Sequence, residues 1–377
     1  MIQLDGVYKS YKNKSVLINM RMEIEDGEFV VLIGSSGCGK TTLLKSINRL
    51  HEIDAGHIRI DGQDIAQMDP VQLRRSIGYV VQDGGLFPHL TVAENIGLIL
   101  QLTGMEEDKR NERVDALLNM VNLDPAAYRE LYPSQLSGGQ RQRVGVARAF
   151  ATDPKIILMD EPFSALDPLT RAELQDEIYR LQTQYEKTVL FVTHDMDEAI
   201  KLADRICIIE NGQIVQFDTP EQILKHPANA YVERFVGRNK LWSNPDFIQA
   251  RDVMRLRPYA ISIQRTVVQA VQIMKQHSID SILITDHGRL RGIVYLKDLN
   301  IGGREGRRAL ADFIQHDFLF VYDDTSLSKI LQHIDYRRSG IIPVITHDHK
   351  LAGYLTKSIL LATLAKQYEQ TPQEALA

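Results

Sequence analysis

The segment Gly34-Ser35-Ser36-Gly37-Cys38-Gly39-Lys40-Thr41 constrains this chain more than any other. It reads G-x-x-x-x-G-K-T, directly follows the apolar run Phe29–Ile33 and precedes a helical stretch. A strand that ends in such a loop and opens a helix is a phosphate cradle. Its glycines let backbone N–H groups close around phosphate oxygens, and the helix N-terminus adds the positive end of a dipole. Lys40 then reaches the outer phosphates of a nucleoside triphosphate, and the Thr41 hydroxyl joins the shell of a Mg²⁺ ion.

A second run, Ile156-Ile157-Leu158-Met159-Asp160-Glu161, delivers two acids at the carboxyl end of an apolar strand. Asp160 suits Mg²⁺ coordination, and Glu161 suits a general base that polarises an attacking water. Phe29–Ile33, Ile156–Met159 and Thr188–Val192 are continuously apolar, which fits strands buried on both faces of a mainly parallel sheet. Met20, Met22 and Ile24 instead alternate with Arg21, Glu23 and Glu25, the pattern of a half-buried strand. Ile58 and Ile60 repeat it. With helical patterns between the strands, residues 1–236 read as an α/β domain; the Pro227–Pro245 region looks like a connection between domains, with the linker at residues 237–248.

Composition narrows the class. Of 377 residues 44% are hydrophobic and 25% charged, ordinary for globular protein, and the length allows two or three domains. No window approaches the ~18 apolar residues of a membrane-spanning helix, and the first residues lack the layout of a signal peptide. The two cysteines, Cys38 and Cys207, are too few for a disulfide framework and fit a reducing compartment. A cytosolic multidomain protein is expected. The net charge of −5 is uneven: residues 1–250 carry −9, residues 251–310 +6 and residues 311–377 −2. The acidic bulk argues against binding a nucleic-acid polymer, while the basic block is either a docking patch or a solvated face.

Between the phosphate loop and the acids sits Leu136-Ser137-Gly138-Gly139-Gln140, identical to the signature sequence of ABC transporter ATPases, and here the chain resembles that family. Gln82, after Tyr79-Val80-Val81, is similar to its Q-loop glutamine, which links Mg²⁺ and water to the membrane partner. Ser164-Ala165-Leu166-Asp167 matches its D-loop, and His194 its switch histidine on the γ-phosphate. Tyr11 stands where the family places an aromatic on adenine. The resemblance implies a P-loop nucleotide-binding fold of mixed sheet plus helical subdomain. It also implies an ATPase with Glu161, His194 and Gln82 in catalysis, Thr41, Gln82 and Asp160 around Mg²⁺, and Gly34 to Thr42 on ATP. In the family the signature of one subunit completes the site of the other, so a homodimer is implied. Residues Gln82 to Asn95, including Leu86 and Phe87, would transmit its closing motion to permease subunits. A thiol reagent at Cys38 is expected to inactivate the protein and to be blocked by ATP.

Glu94-Asn95, Leu158-Met159-Asp160-Glu161-Pro162-Phe163 and Thr193-His194-Asp195-Met196-Asp197-Glu198-Ala199 resemble importer ATPases for quaternary amine osmoprotectants. That resemblance implies glycine betaine, carnitine or choline as solute, an extracellular binding protein acting through the permease, and a place on the cytoplasmic face of the membrane. An importer for another small solute, such as an amino acid, is the alternative.

The rest of the chain repeats itself. Val267, Ala270, Val271 and Met274 share helical spacing with Leu327, Ile330, Leu331 and Ile334, and Leu290-Arg291-Gly292 returns as Leu351-Ala352-Gly353. The copies, residues 249–303 and 310–365 with a tail at 366–377, resemble an α+β pair of CBS domains. Adenosyl-binding members often end a strand with a hydroxyl residue and an Asp three positions on. The first copy keeps Asp298 but has Tyr295 in the hydroxyl position; the second keeps Thr356, followed by Lys357, but has Ile359 in place of the Asp. Three roles are open. They are binding of cyclic di-AMP, salt sensing through Arg289, Arg291, Arg304, Arg307 and Arg308 on an anionic bilayer, and dimerisation alone.

Overall fold

The computed structural model describes residues 1–12, 14–82, 84–164, 166–237, 244–299, 309–333 and 340–366. Chain contacts divide it into two units, Met1–Val236 and Gly237–Ala377. The first runs β1 (Ile2–Tyr11), β2 (Lys14–Ile24), β3 (Phe29–Ile33), α1 (Lys40–Ile47), β4 (Ala55–Ile60), β5 (Gln63–Asp64), α2 (Pro70–Ser76) and β6 (Ile77–Val80). It continues through α3 (Val92–Leu102), α4 (Glu107–Met120), α5 (Pro125–Tyr128), α6 (Gly138–Ala149), β7 (Ile156–Asp160), α7 (Pro168–Tyr185) and β8 (Thr188–Val192). It closes with α8 (Met196–Leu202), β9 (Arg205–Glu210), β10 (Gln213–Asp218), α9 (Pro220–Lys225) and α10 (Ala230–Val236).

These strands form two sheets. One is antiparallel, in the order β2-β1-β4-β5; the other has the order β10-β9-β3-β8-β7-β6, parallel throughout except for β10. Every residue of β3, β7 and β8 is buried, which is why these runs are continuously apolar. Helix α1 lies between the sheets. Its Leu43, Leu44 and Ile47 share one core cluster with Val7 and Met20 of the antiparallel sheet and with Val30, Leu158 and Leu190 of the parallel one. At about 1.5–3 kcal/mol for each such side chain, this packing clamps the helix that follows the phosphate loop. The carboxyl ends of β3, β6, β7 and β8 share one edge, where open α/β sheets bind their ligands. Helices α3, α4 and α6 pack together as a helical layer; α3 starts with a capping box, Thr91 Oγ1 accepting from Glu94 N and Glu94 from Thr91 N.

The second unit contains α11 (Ala250–Val253), β11 (Ala260–Ser262), α12 (Val267–Gln276), β12 (Ser281–Asp286), β13 (Arg289–Tyr295), β14 (Val321–Tyr322), α13 (Leu327–His333), β15 (Ile341–Ile345), β16 (Leu351–Thr356) and α14 (Lys357–Ala365). The repeat is explicit in its sheets, β11-β12-β13 and β14-β15-β16, each a parallel pair followed by an antiparallel one. The copies exchange segments. Ile248 and Ala250, which precede the first sheet, pack in the core of the second, and Ala250 N donates to Thr325 O at 2.9 Å. Leu310, which precedes the second sheet, packs in the core of the first. Arg304, Arg307 and Arg308 of the basic stretch, Ile334 of the helical repeat and Ala165 of the D-loop lie outside the described residues.

Candidate functional site

The phosphate loop is shaped by what its glycines avoid. Gly39 has φ +112, and a Cβ there would lie 2.7 Å from Val16 O and 2.9 Å from Leu17 Cδ2 of β2. Only glycine lets the loop tuck under that strand. Gly39 also caps α1 without any side-chain hydrogen bond, so the helix N-terminus is left for a ligand. Lys40 is buried, and its ammonium donates to Gly34 O at 2.7 Å and Ser35 O at 3.1 Å, which holds it along the loop. Ser36, Gly37, Lys40, Thr41 and Thr42 line a cavity of about 320 Å³, closed on the far side by Glu161 and His194.

Cys38 does not line that cavity. Its side chain is 5% exposed and packs in the core cluster that also holds Cys207, where burial pushes the thiol pKa up. The thiol chemistry expected from sequence is corrected accordingly: the sulfur of Cys38 lies in the core, 4.0 Å from the Lys40 ammonium, and does not line the cavity. Tyr11 ends β1, 40% exposed, edge-on to His51 at 5.7 Å with the Lys9 ammonium 5.4 Å from its ring. It is not among the residues lining the cavity. Val16 is, and Tyr231 OH accepts from Ser35 N at 3.4 Å. Neither Val16 nor Tyr231 carries a sequence signal; both arrive through pairing and packing.

Asp160 is the last residue of β7, and its Oδ1 accepts from Thr41 Oγ1 at 2.8 Å. Burial pushes its carboxyl above the usual range, opposed by that hydrogen bond and by Lys45 and Lys40. A buried carboxylate bonded to a hydroxyl that lines the cavity matches the oxygen donors that Mg²⁺ selects, so these residues fit the ion. Glu161 follows with φ +46, a left-handed backbone that costs a non-glycine residue about 1–3 kcal/mol. Its N–H donates to Val192 O at 3.0 Å, which ties that strained residue to β8. The bend brings Glu161 Oε2 to 3.3 Å from Nδ1 of His194, whose own chain leaves β8. Gln82 is exposed just after β6, whose Val80 pairs with Met159 of β7, so it leaves the same sheet edge as the acids.

The signature lies apart from this cavity. Ser137 caps α6 in a capping box with Gln140, whose side chain also donates to Tyr128 OH at 3.1 Å. Leu136 is buried, while Ser137 and Gly138 are exposed. Ser164 Oγ donates to Glu161 O at 3.1 Å, Leu166 is buried, and Asp167 caps α7 through Leu169 N and Thr170 N. At the far end of α6, Arg148 donates to Gly85 O at 2.7 Å and Gly84 O at 3.0 Å, joining the signature helix to the loop after Gln82. In the second unit, Asp298 accepts from Gln315 Nε2 at 2.8 Å, the Lys297 ammonium stands 5.4 Å from the Tyr295 ring, and Thr356 Oγ1 caps α14 by accepting from Ile359 N. Lys357 opens that helix.

A family model described as ABC transporter matches residues 17–164, and one described as CBS domain matches residues 250–300 and 310–366. A solved ATP-binding cassette, captured as a dimer after hydrolysis with ADP and Pi, superposes with a TM-score of 0.54 at 36% identity, covering 58% of this chain and 99% of that one. The phosphate cradle and signature helix therefore make this chain an ATPase of the ABC class, with two CBS repeats behind it. The carnitine transport ATP-binding protein OpuCA of Listeria monocytogenes is 45% identical to it over 96% of this chain and 91% of its own. The choline transport ATP-binding protein OpuBA of Bacillus subtilis is likewise 45% identical, over 96% and 95%. At that identity over nearly the whole of both chains, this protein belongs to the family of transport ATP-binding proteins that includes these two. Among its described residues no helix is long and apolar enough to cross a membrane.

Proposed function

We propose that this protein hydrolyses ATP to power import of quaternary amine osmoprotectants, the glycine betaine, carnitine and choline class, from the cytoplasmic face of the membrane. The observation that carries the reading is one cavity lined by the phosphate loop, Glu161 and His194, with Thr41 of its lining bonded to Asp160 behind it. Lys40 and the loop amides hold the phosphates, and Thr41, Asp160 and Gln82 hold Mg²⁺. That ion neutralises charge on the phosphate oxygens. Glu161 accepts the proton of the attacking water while His194 orients against the γ-phosphate.

A homodimer is part of this reading. Ser137 and Gly138 are exposed, and neither lines the cavity of its own subunit, so they are placed to complete a partner's. Permease subunits would dock in a second groove of about 320 Å³, where Phe87, Leu98, Ile99 and Leu102 present apolar surface rimmed by Arg74 and Arg75. Leu86, half-buried, is not part of its lining. An extracellular binding protein would act through the permease. The CBS pair is its regulatory module, with cyclic di-AMP as ligand at Tyr295 and Asp298 of one copy and Thr356 and Lys357 of the other.

The test is reconstitution with the cognate permease in vesicles, followed by ATP-driven uptake of labelled glycine betaine, carnitine, choline and glutamine. Uptake of the three cations that is lost in Lys40→Ala supports the reading; uptake of glutamine alone overturns the solute assignment. Calorimetric titration of cyclic di-AMP into the ATP-saturated chain checks the regulatory ligand, and no heat of binding would remove it.

A further inference from the structure

The switch histidine is presented by a short segment whose neighbours are engaged on both sides. Thr193 N donates to Leu32 O at 3.2 Å, which pins the segment to β3. The Thr193 hydroxyl accepts from Asp195 N at 3.0 Å and donates to Glu198 Oε2 at 2.6 Å. Asp195 in turn caps α8 through Asp197 N at 2.8 Å. Thr193 is 2% and Glu198 6% exposed, so this is an interior network rather than a solvated surface. A buried carboxylate needs partners, and the other oxygen of Glu198 faces α7. Gln175 Nε2 donates to it at 3.4 Å, and Arg171 Nε stands 3.9 Å away. That Nε is buried and makes no hydrogen bond. The same guanidinium donates to Leu166 O at 3.1 Å, in the loop after Ser164, and approaches Asp195 Oδ2 at 4.0 Å. Arg171 and Glu198 border a void of about 40 Å³ that Glu161 and His194 also line.

We propose that Arg171 and Glu198 are a positioning pair, in which a guanidinium holding the Leu166 carbonyl is set against the carboxylate that holds Thr193, so that the aim of His194 at Glu161 depends on where the D-loop stands. The inference rests on the role given to His194 above. Its physical basis is that Arg171 faces one backbone carbonyl, of Leu166, and two carboxylates, of Asp195 and Glu198, with one planar fork. A lysine ammonium, with a single nitrogen, cannot hold the Leu166 carbonyl and face Glu198 in that geometry. A shift of the D-loop, such as a second subunit would impose, then moves Arg171, and with it the hydrogen-bonded segment carrying His194. A 1 Å change there matters because reactive geometry is lost steeply with displacement.

The test uses the full chain with its permease. Glu198→Gln keeps an acceptor for Thr193 and removes the charge facing Arg171; Arg171→Lys keeps the charge and removes the fork. Each is expected to lower kcat about tenfold with the KM for ATP changed less than about twofold, and with an unchanged melting temperature. Because the pair acts through His194, Glu198→Gln added to His194→Ala should slow single-turnover hydrolysis no further than His194→Ala alone. Multiplying effects in that double variant, or full turnover in Glu198→Gln, would overturn the pair while leaving His194 in place. Full turnover in His194→Ala would instead remove the role of the histidine, and the pair with it. A lowered melting temperature with matching losses in nucleotide binding would make Arg171 and Glu198 structural.

Discussion

Gly139 has room for a hydrogen and little more. A Cβ there would lie 2.4 Å from Thr170 Cγ2 and 3.8 Å from Thr170 Cβ. Since carbon atoms rest about 3.5–4.0 Å apart, Gly139→Ala requires Thr170 to turn away from its bond to Asp167, or the first turns of α6 and α7 to separate by on the order of 1 Å. Overpacking of this kind costs about 1–3 kcal/mol, and alanine returns about 0.8–1.0 kcal/mol of helix propensity over glycine. The net loss is about 0–2 kcal/mol, or up to about 8 °C in the melting of a unit this size. Activity should fall further than stability. Both helices start at functional loops, the signature and the D-loop, and about 1 Å of misplacement can cost on the order of 10²-fold in rate. Thr170→Ser removes the offending methyl and keeps the hydroxyl that bonds Asp167. The double variant should therefore recover most of the lost kcat, measured by steady-state phosphate release from the full chain. If Gly139→Ala were as active as the parent, or Thr170→Ser failed to restore it, the steric account of this interface would be wrong.

Glu161→Gln should bind ATP normally and lose at least about 100-fold in steady-state hydrolysis; undiminished turnover would remove Glu161 as base. Cys38, buried with a raised thiol pKa, should react slowly with a disulfide reagent in the native protein, and to the same extent with and without ATP. Rapid labelling blocked by nucleotide would mean that its sulfur faces the cavity. In the second unit His347 Nε2 and Asp324 Oδ2 lie 2.9 Å apart; this hydrogen bond raises the imidazole's pKa and lowers the carboxyl's. The contribution is fully present below the unfolded histidine's pKa and fades as pH rises through the raised folded value. It is lost again as pH falls through the lowered value of Asp324. His347→Ala should therefore lower that unit's melting temperature at pH 6 and leave it unchanged at pH 9; an equal loss at both would point to the ring's stacking on Tyr322, 4.6 Å away.

Some of this protein is written locally. The runs at Phe29–Ile33, Ile156–Met159 and Thr188–Val192 are apolar without alternation because both faces of their sheet are covered, and periodicity alone reads that out. The phosphate loop and the signature are legible for a similar reason: each is a contiguous set of backbone groups at a helix N-terminus, so its chemistry is carried by spacing within one segment. The repeat at residues 290–292 and 351–353 falls in equivalent antiparallel strands, as its shared glycine suggests.

What the tertiary structure alone decided is which distant groups close those local pieces. Val16 walls the cavity because β2 runs over Gly39, and Tyr231 reaches Ser35 from 196 positions away. Arg171 meets Glu198 only because α7 and α8 pack beside one another. Ile248 and Leu310 serve each other's repeats, which no pattern within either repeat signals. The thiol of Cys38 packs in the core although its neighbours in the loop line the cavity. Spacing along the chain determines which backbone and side-chain groups a segment can present. Their direction and their partners depend on packing between segments, and that packing is a property of the whole folded unit.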